Sequence, residues 1–143
     1  MNKKDRAHYV ETDDSCAICG IRGLNILSEH HIDSDRTNNE YDNLIVLCHN
    51  CHHAYTNGKG LSREDIERRK RNLIKKTITT YGLNTLRIAN RQERGTLSLP
   101  SLVYHLIEFG YLEDDPHPCQ MFGDLKPYII TEKGKKLLKK WFS

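Results

Sequence analysis

The chain has 143 residues, of which 22 are Lys or Arg and 19 are Asp or Glu, and its formal net charge is +3. This length allows one domain or two small ones, and the modest apolar content argues against one large core. No apolar run is long enough to cross a membrane, so no membrane association is expected. The charge is uneven, because residues 1–61 hold 6 basic and 9 acidic side chains and residues 62–143 hold 16 and 10. A polyanion such as nucleic acid is therefore expected to bind mainly to the second part.

Residues 1–15 are polar and predict a short lead-in that contains a helix. Behind the charges of residues 1–6 there is no apolar segment of the kind that a signal peptide needs, so a cytoplasmic protein is expected. Thiols stay reduced in that compartment, and this matters for the cysteines that follow.

Two Cys-x-x-Cys pairs come next, Cys16 with Cys19 and Cys48 with Cys51. Each pair places two sulfurs on one tight turn, and two such turns complete a tetrahedral four-thiolate site for Zn²⁺. The alternative, two disulfides, is disfavoured by the expected reducing compartment. A closed site of this type has no open coordination position, so its zinc is expected to be structural. The fifth cysteine, Cys119, is interpreted as an incidental free thiol.

The segment between the two pairs carries polar residues of another kind. A strand is predicted to end at His30-His31-Ile32, and the apolar run Leu44–Leu47 follows Asp42-Asn43. A helix is predicted from Cys51 to about Asn57, where glycines follow.

The ordered set Cys-x-x-Cys, His-His-Ile, Asn-Leu and Leu-Cys-x-x-Cys-His over residues 16–60 resembles the HNH nucleases, whose fold is the ββα-metal unit. The resemblance implies a phosphodiester hydrolase, a metal-dependent endonuclease that cuts double-stranded DNA in a bacterial or phage-like setting. It implies that His31 is the general base and that His30 and His52 hold a catalytic Mg²⁺ or Mn²⁺. Asn43 is placed in the catalytic set as the residue that orients the base.

Two departures from the family pattern bear on these roles. Some relatives carry a further His one helical turn beyond His52, where this chain has Thr56, so the shell of the ion is expected to be completed by water and phosphate oxygens. The polar loop Asp33–Asn39 stands where a proline is common, and its carboxylates are interpreted as solvated. The structural alternative treats all three histidines as spare zinc ligands or as buried, hydrogen-bonded imidazoles.

A second helix is predicted from the capping pair Ser62 and Asp65 to Tyr81, with Gly82 at its end. Its apolar side is predicted to consist of Ile66, Leu73, Ile74, Ile78 and Tyr81. The opposite face carries five basic residues, interpreted either as a solvated surface or as a DNA-contacting stripe: Arg68, Arg69, Arg71, Lys75 and Lys76.

Residues 83–143 resemble a winged helix-turn-helix domain, most clearly where the run Tyr128–Gly134 matches the second wing strand and following helix of bacterial winged-helix regulators. The predicted parts are a helix over 86–94, a turn over 96–99, a helix from Pro100 to Phe109 with Leu102 on its apolar side, wing strands at 111–113 and 128–131, a wing loop over 114–127, and a last helix to Trp141. The helix from Pro100 has no Lys or Arg, which argues against simple base reading in the major groove. DNA contact through the wing and flanking helices, or a homodimer through this domain, are both compatible with it.

The fold class expected from these parts is α+β. A small zinc-stabilised HNH domain over 1–60 precedes a basic amphipathic connecting helix over 61–82 and the winged-helix-like domain over 83–143. The leading hypothesis is a metal-dependent DNA endonuclease. The alternatives are a non-catalytic DNA-binding regulator that uses the winged helix, and a protein-interaction module.

Overall fold

A computed structural model describes residues 6–92, 95–117 and 123–143. The chain divides into two compact units, Met1–Thr77 (unit 1) and Ile78–Ser143 (unit 2). The division falls inside the segment predicted to connect two domains. Helices and two small sheets are present, so the expected mixture of α and β structure is confirmed. Cys119 and part of the predicted wing loop lie outside the described residues.

Unit 1 is built around one short antiparallel hairpin and the helix that follows it. Helix α1 (Ala7–Val10) lies in the predicted lead-in, and strand β1 (Leu27–His31) pairs with strand β2 (Leu44–Cys48), with His31 opposite Leu44. Helix α2 (His49–Thr56) follows β2 without a break. Every residue of β2 is buried. Since a fully buried Leu or Ile contributes about 1.5–3 kcal/mol, β2 is the main apolar element of this small unit.

Helix α3 (Arg63–Arg91) begins with the predicted cap but does not end where the sequence predicted. The Ser62 backbone N–H donates to Asp65 Oδ2 at 3.0 Å, and the Asp65 backbone N–H donates to Ser62 Oγ at 3.2 Å. Helical geometry is interrupted at Thr79 (φ 68°, ψ 163°) and then resumes as far as Arg91. The prediction of a helix end at Tyr81 and Gly82 is therefore wrong.

Two side-chain contacts accompany the interruption at Thr79. The Gly82 backbone N–H is accepted by Thr79 Oγ1 at 3.2 Å, and the Ile78 carbonyl lies 2.8 Å from His105 Nε2. At the break, the Gly82 N–H and the Ile78 carbonyl are therefore paired with side chains and not with other backbone groups. Gly82 is needed for close packing and not for termination, because a Cβ there would lie 3.2 Å from His105 Nε2.

Unit 2 contains a three-stranded antiparallel sheet flanked by helices. The sheet comprises β3 (Thr96–Ser98), β4 (Leu112–Asp114) and β5 (Lys126–Ile130), in the order β3-β5-β4. Helix α4 (Pro100–Glu108) lies between β3 and β4 in sequence, and helix α5 (Glu132–Trp141) follows β5. These two helices and strands β4 and β5 were predicted close to their observed bounds.

Three local predictions in unit 2 are wrong. Residues 96–98 form strand β3 and not a turn, because they pair with β5 beyond Gly95, where a Cβ would lie 2.2 Å from the Tyr128 carbonyl oxygen. Tyr81 and Leu102, predicted to be buried, are 43% and 42% exposed. The Tyr81 hydroxyl instead lies 2.9 Å from Ser98 Oγ, which accounts for its position at the surface.

The core of unit 2 takes apolar residues from α4, α5 and the sheet, among them Val103, Leu106, Tyr128, Leu137 and Trp141. Gly134 lets α5 approach the chain before β4, since a Cβ there would lie 2.3 Å from the Tyr111 carbonyl oxygen. Across the three described ranges, no helix combines the length and the apolar character needed to span a membrane.

Candidate metal centre and histidine cleft

The four cysteines of the two Cys-x-x-Cys pairs converge in unit 1. Their Sγ atoms all lie within 4.8 Å of one another, although the pairs are far apart in sequence. The first pair sits on a turn closed by a hydrogen bond from the Gly20 backbone N–H to the Cys16 carbonyl and by the bridge between Ser15 and Arg22. Cys48 ends β2 and is the N-cap of α2, which places Cys51 in the first turn of that helix.

The geometry of this cluster fits a metal ion such as zinc. Thiolates bound tetrahedrally at about 2.3 Å from Zn²⁺ are about 3.8 Å apart, and Cys19 Sγ lies 3.7 Å from Cys48 Sγ. Backbone N–H groups of Ile18 and Cys51 point at the sulfurs of Cys16 and Cys48, at 3.5 and 3.4 Å. Such N–H···S contacts orient thiolate ligands and spread their charge.

Full ionisation of the four thiols would require a cation among them. Burial acts against ionisation of Cys16, but backbone N–H groups outweigh it and lower its pKa to about 7. Burial, and then the neighbouring thiols, raise the pKa of Cys51. Four thiolates therefore cannot share this space without a positive ion among them.

Three histidines lie around one cleft beside the cysteine cluster. β1 ends with His30 and His31, and α2 supplies His52, whose ring centroid lies 5.1 Å from that of His30. The cleft has a volume of about 380 Å³, and its lining also includes Glu29, Ser34 and Arg36. Successive residues of a regular strand point to opposite faces, yet His30 and His31, the last two residues of β1, both border this cleft.

His30 carries a nitrogen that has no partner. Its Nε2 is buried and makes no hydrogen bond, and its ring packs edge-on against Tyr55 with centroids 4.7 Å apart. Burial, followed by the nearby His52 and His31, lowers the pKa of His30 to about 4. The imidazole is thus neutral at physiological pH, and its Nε2 is left without a hydrogen-bond partner. An unpaired polar atom of this kind costs about 1–3 kcal/mol in the absence of a ligand.

Two further residues, Ser28 and Thr56, contact His52. Ser28 Oγ lies 3.4 Å from His52 Nδ1, so it can orient that ring from behind. The Thr56 hydroxyl, one helical turn beyond His52, donates to the His52 carbonyl at 2.9 Å. Within residues 6–92, 95–117 and 123–143, the cysteine cluster is the one group of three or more His, Cys, Asp or Glu with converging ligand atoms.

His31 and Asn43 belong to one hydrogen-bonded loop. His31 Nε2 lies 2.9 Å from Asn39 Oδ1. Asn43 is fully buried; its Nδ2 donates to Asp33 Oδ1 and to the Asn38 carbonyl, both at 2.9 Å, and its Oδ1 accepts from the Asp33 backbone N–H at 3.1 Å. Asn43 therefore fixes the loop that runs from His31 to Asn39.

The five basic residues predicted to share one face of α3 differ in their contacts. Arg69 Nε donates to the Ala17 carbonyl at 2.7 Å, so this side chain supports the first cysteine turn. Arg68 Nη1 lies 3.5 Å from Asp65 Oδ1. Arg71, Lys75 and Lys76 are exposed.

A buried ion pair in unit 1 was missed by sequence reasoning. Lys70 Nζ donates to Glu11 Oε1 at 2.6 Å, both side chains are fully buried, and the ammonium lies 4.0 Å from the centre of the Tyr41 ring. The Tyr41 hydroxyl donates to the other oxygen of Glu11. This pair ties α1 and α3 to the turn that leads into Asn43. Since 59 residues separate Lys70 from Glu11, no local pattern could have indicated it.

Comparison of the chain with protein-family models, with curated proteins and with solved structures finds no match. The assignment of function therefore depends on the geometry of the cleft and on the chemistry of its residues.

Proposed function

We propose that this chain is a metal-dependent DNA endonuclease of the HNH type, with a ββα-metal domain in unit 1 and a winged-helix-like domain in unit 2. The observation that carries the proposal is the unpartnered Nε2 of His30, buried beside His52 and His31 in one open cleft. The cysteine cluster supports it, because a structural Zn²⁺ there would hold β2 and the start of α2, the elements next to β1, in place.

His31 is the proposed general base. If its Nε2–H donates to Asn39 Oδ1, its Nδ1 keeps a lone pair that can accept a proton. A water molecule that loses its proton to His31 attacks the phosphorus, the bond from phosphorus to the 3′ oxygen breaks, and the leaving oxygen takes a proton from solvent. Asn43 keeps the loop that carries Asn39 in place and thereby fixes the imidazole.

His30 and His52 are the proposed ligands of a catalytic divalent ion. When bound, Mg²⁺ or Mn²⁺ stabilises the charge that develops on the leaving oxygen. The lone nitrogen of His30 fits this role, since metal-binding histidines are neutral and are oriented by contacts to the rest of the ring. A shell with only two protein ligands suits hard cations that keep several waters. Arg36, on the rim of the same cleft, adds a positive charge for the phosphate.

The test is cleavage of supercoiled plasmid DNA by the zinc-loaded full chain with added Mg²⁺ or Mn²⁺. We expect His31→Ala to lower the rate by about 100-fold or more, the usual range for loss of a general base. His53→Ala removes an exposed imidazole from the same helix as His52 and should cleave like wild type. Equal cleavage by wild type and His31→Ala would refute the assignment of the base.

Binding of the ion is measured apart from cleavage, by the loss of the free Mn²⁺ signal in electron paramagnetic resonance. His30→Ala and His52→Ala should each weaken Mn²⁺ binding, whereas His53→Ala and His31→Ala should not. Metal analysis should still find one zinc in all four variants. Unchanged Mn²⁺ binding in both ligand variants would contradict the proposed site.

The second candidate is a non-catalytic DNA-binding regulator. It is favoured by Thr56, whose hydroxyl is already bonded to the His52 carbonyl, so that no third side-chain ligand from α2 completes the shell. This candidate predicts salt-sensitive DNA binding with no nicking under any divalent metal, and the plasmid assay separates the two.

A further inference from the structure

Unit 2 has a basic cleft that the proposed chemistry does not use. It lies between the C-terminal turns of α3 and helix α5, has a volume of about 330 Å³, and is lined by Arg87, Arg91, Lys135 and Lys139 together with Asn90. Buried Leu138 and Phe142 and the exposed Ser143 also line it, and none of the described residues in this lining has an acidic side chain.

The register of the two helices explains the convergence of charge. Arg87 and Arg91 are four residues apart on α3, and Lys135 and Lys139 are four residues apart on α5. Residues at this spacing share one face of a helix. Each helix thus turns one cationic pair toward the other, and four positive charges line one cleft.

Most of these charges are not neutralised within unit 2. Lys135 Nζ lies 3.2 Å from Glu132 Oε1, an exposed pair of little energetic value. Arg87 Nη2 lies 3.5 Å from the Phe142 carbonyl oxygen. The side chains of Arg91 and Lys139 form no ion pair or hydrogen bond with any residue in the described ranges, although the Lys139 carbonyl accepts from the Ser143 hydroxyl at 2.7 Å. Like charges held this close repel one another, and an anion in the cleft removes that cost.

We infer that this cleft binds the phosphate backbone of double-stranded DNA. The inference rests on the proposed function for the choice of DNA among polyanions. Arginine and lysine contact phosphate oxygens directly, and Asn90 offers an amide donor. None of the described residues that line the cleft is an exposed aromatic side chain on which an unpaired base could stack, so the cleft suits the backbone and not the bases. It also supplies the cationic contacts that α4 lacks, since α4 contains no Lys or Arg.

The experiment measures binding of a labelled short duplex to the full zinc-loaded chain by fluorescence anisotropy, with no divalent ion added. Arg91→Gln/Lys139→Gln removes two cleft charges that have no partner to leave unpaired. We expect its affinity to fall about tenfold and the slope of log K against log salt to shrink by about 2. The control Lys136→Gln/Lys140→Gln removes two charges of α5 that lie outside the cleft. It is expected to keep the wild-type slope of log K against log salt.

Circular dichroism and the emission of Trp141 verify that both double variants are folded. Two duplexes of unrelated sequence should give the same loss, as backbone contacts require. An equal fall in both double variants would mean that only net charge matters, and no fall in either would place the DNA elsewhere; each result overturns the inference. So would displacement of the duplex by low inorganic phosphate or by polyglutamate, which would assign the cleft to a free anion or an acidic protein.

This experiment remains informative if the nuclease proposal fails. It needs no cleavage and no catalytic metal, and the four cleft residues are remote in sequence from His30, His31 and His52. Loss of duplex binding in Arg91→Gln/Lys139→Gln, with no plasmid cleavage by wild type, would support the cleft and refute the nuclease.

Discussion

At the scale of single residues, unit 1 contains two histidines whose Nε2 atoms are buried and make no hydrogen bond, in different surroundings. His30 packs against the rings of His52 and Tyr55, whereas His8 Nε2 lies 3.1 Å from Glu29 Oε1. Glu29 is also paired with Arg6. The first arrangement leaves a nitrogen for a ligand, whereas the second places an imidazole beside a carboxylate that already has a cation. His8 is therefore a structural residue, and its effect should be on stability.

One part of the pH dependence of unit 1 follows from His8. Burial lowers its pKa below the ordinary value of 6.5, the Glu29 carboxylate opposes this, and Lys70 and Arg6 add to it. The unfolded chain therefore binds the proton first, so the stabilisation is complete above about pH 6.5 and is lost as the pH falls toward the folded pKa. We expect the free energy of unfolding of His8→Gln to fall less than that of wild type between neutral and mildly acidic pH.

Urea unfolding followed by circular dichroism, with zinc held at constant excess, measures this difference. The control is His53→Gln, which removes an exposed imidazole and should keep the wild-type pH dependence. A steeper loss of stability in His8→Gln than in wild type would contradict the sign.

At the scale of elements, α3 is interrupted at Thr79, whose backbone angles are not helical. Thr79 has a positive φ, which a β-branched residue rarely adopts, and its Oγ1 caps the resumed helix by accepting from the Gly82 N–H. Strain of this kind costs about 1–3 kcal/mol. The side chain therefore has two opposite effects, a cap that stabilises and a Cβ that is strained.

Two substitutions separate these effects. Thr79→Ala keeps the Cβ and removes the cap, so it should lower the free energy of unfolding of unit 2 by about 1 kcal/mol. Thr79→Gly relieves the strain at a small cost in capping, so it should be about 1 kcal/mol more stable than wild type. Denaturant unfolding followed by Trp141 fluorescence gives both values. Thr80→Ala, at an exposed neighbour, is the control, and equal destabilisation by Ala and Gly at position 79 would contradict the strain.

What the sequence could predict at this scale was local. The two cysteine turns, the strand that ends in His30 and His31, the cap of α3 and helices α4 and α5 all follow from spacing and capping over a few residues. The strand β3 could not be predicted, because its only partner is β5, about 30 residues later. The burial of Lys70 and the contact of Arg69 with the Ala17 carbonyl likewise depend on residues more than 50 positions away.

The candidate site was predictable to a similar extent. Motif order identified His30, His31, Asn43 and His52, but not Asn39, Ser28 or Arg36, which meet them only in the folded chain. In the sequence, the basic residues of the unit 2 cleft are four separate charges with no motif that links them. Its two pairs lie on helices separated by the whole sheet in sequence, so only the fold brings them together.

At the scale of the whole molecule, the two units have different sources of stability. Both units bury apolar side chains from several elements, for example Leu47 and Ile74 in unit 1 and Leu106 and Trp141 in unit 2, but the cysteine cluster lies in unit 1. Binding of structural zinc contributes about 10–16 kcal/mol in small metal-stabilised domains, as much as the entire stability of an ordinary domain. Unit 1 should therefore depend on its cysteine cluster, and unit 2 should not.

Zinc removal tests this division with the full chain. Excess chelator should abolish the part of the circular dichroism that arises from unit 1, while the emission of Trp141, the chain's one tryptophan, should stay that of a buried indole. Cys16→Ser should show the same loss without chelator, since three thiols cannot complete the tetrahedral shell. A red shift of Trp141 emission in step with zinc release would show that unit 2 unfolds as well. Full retention of the dichroism after complete zinc removal would show that the metal does not stabilise unit 1.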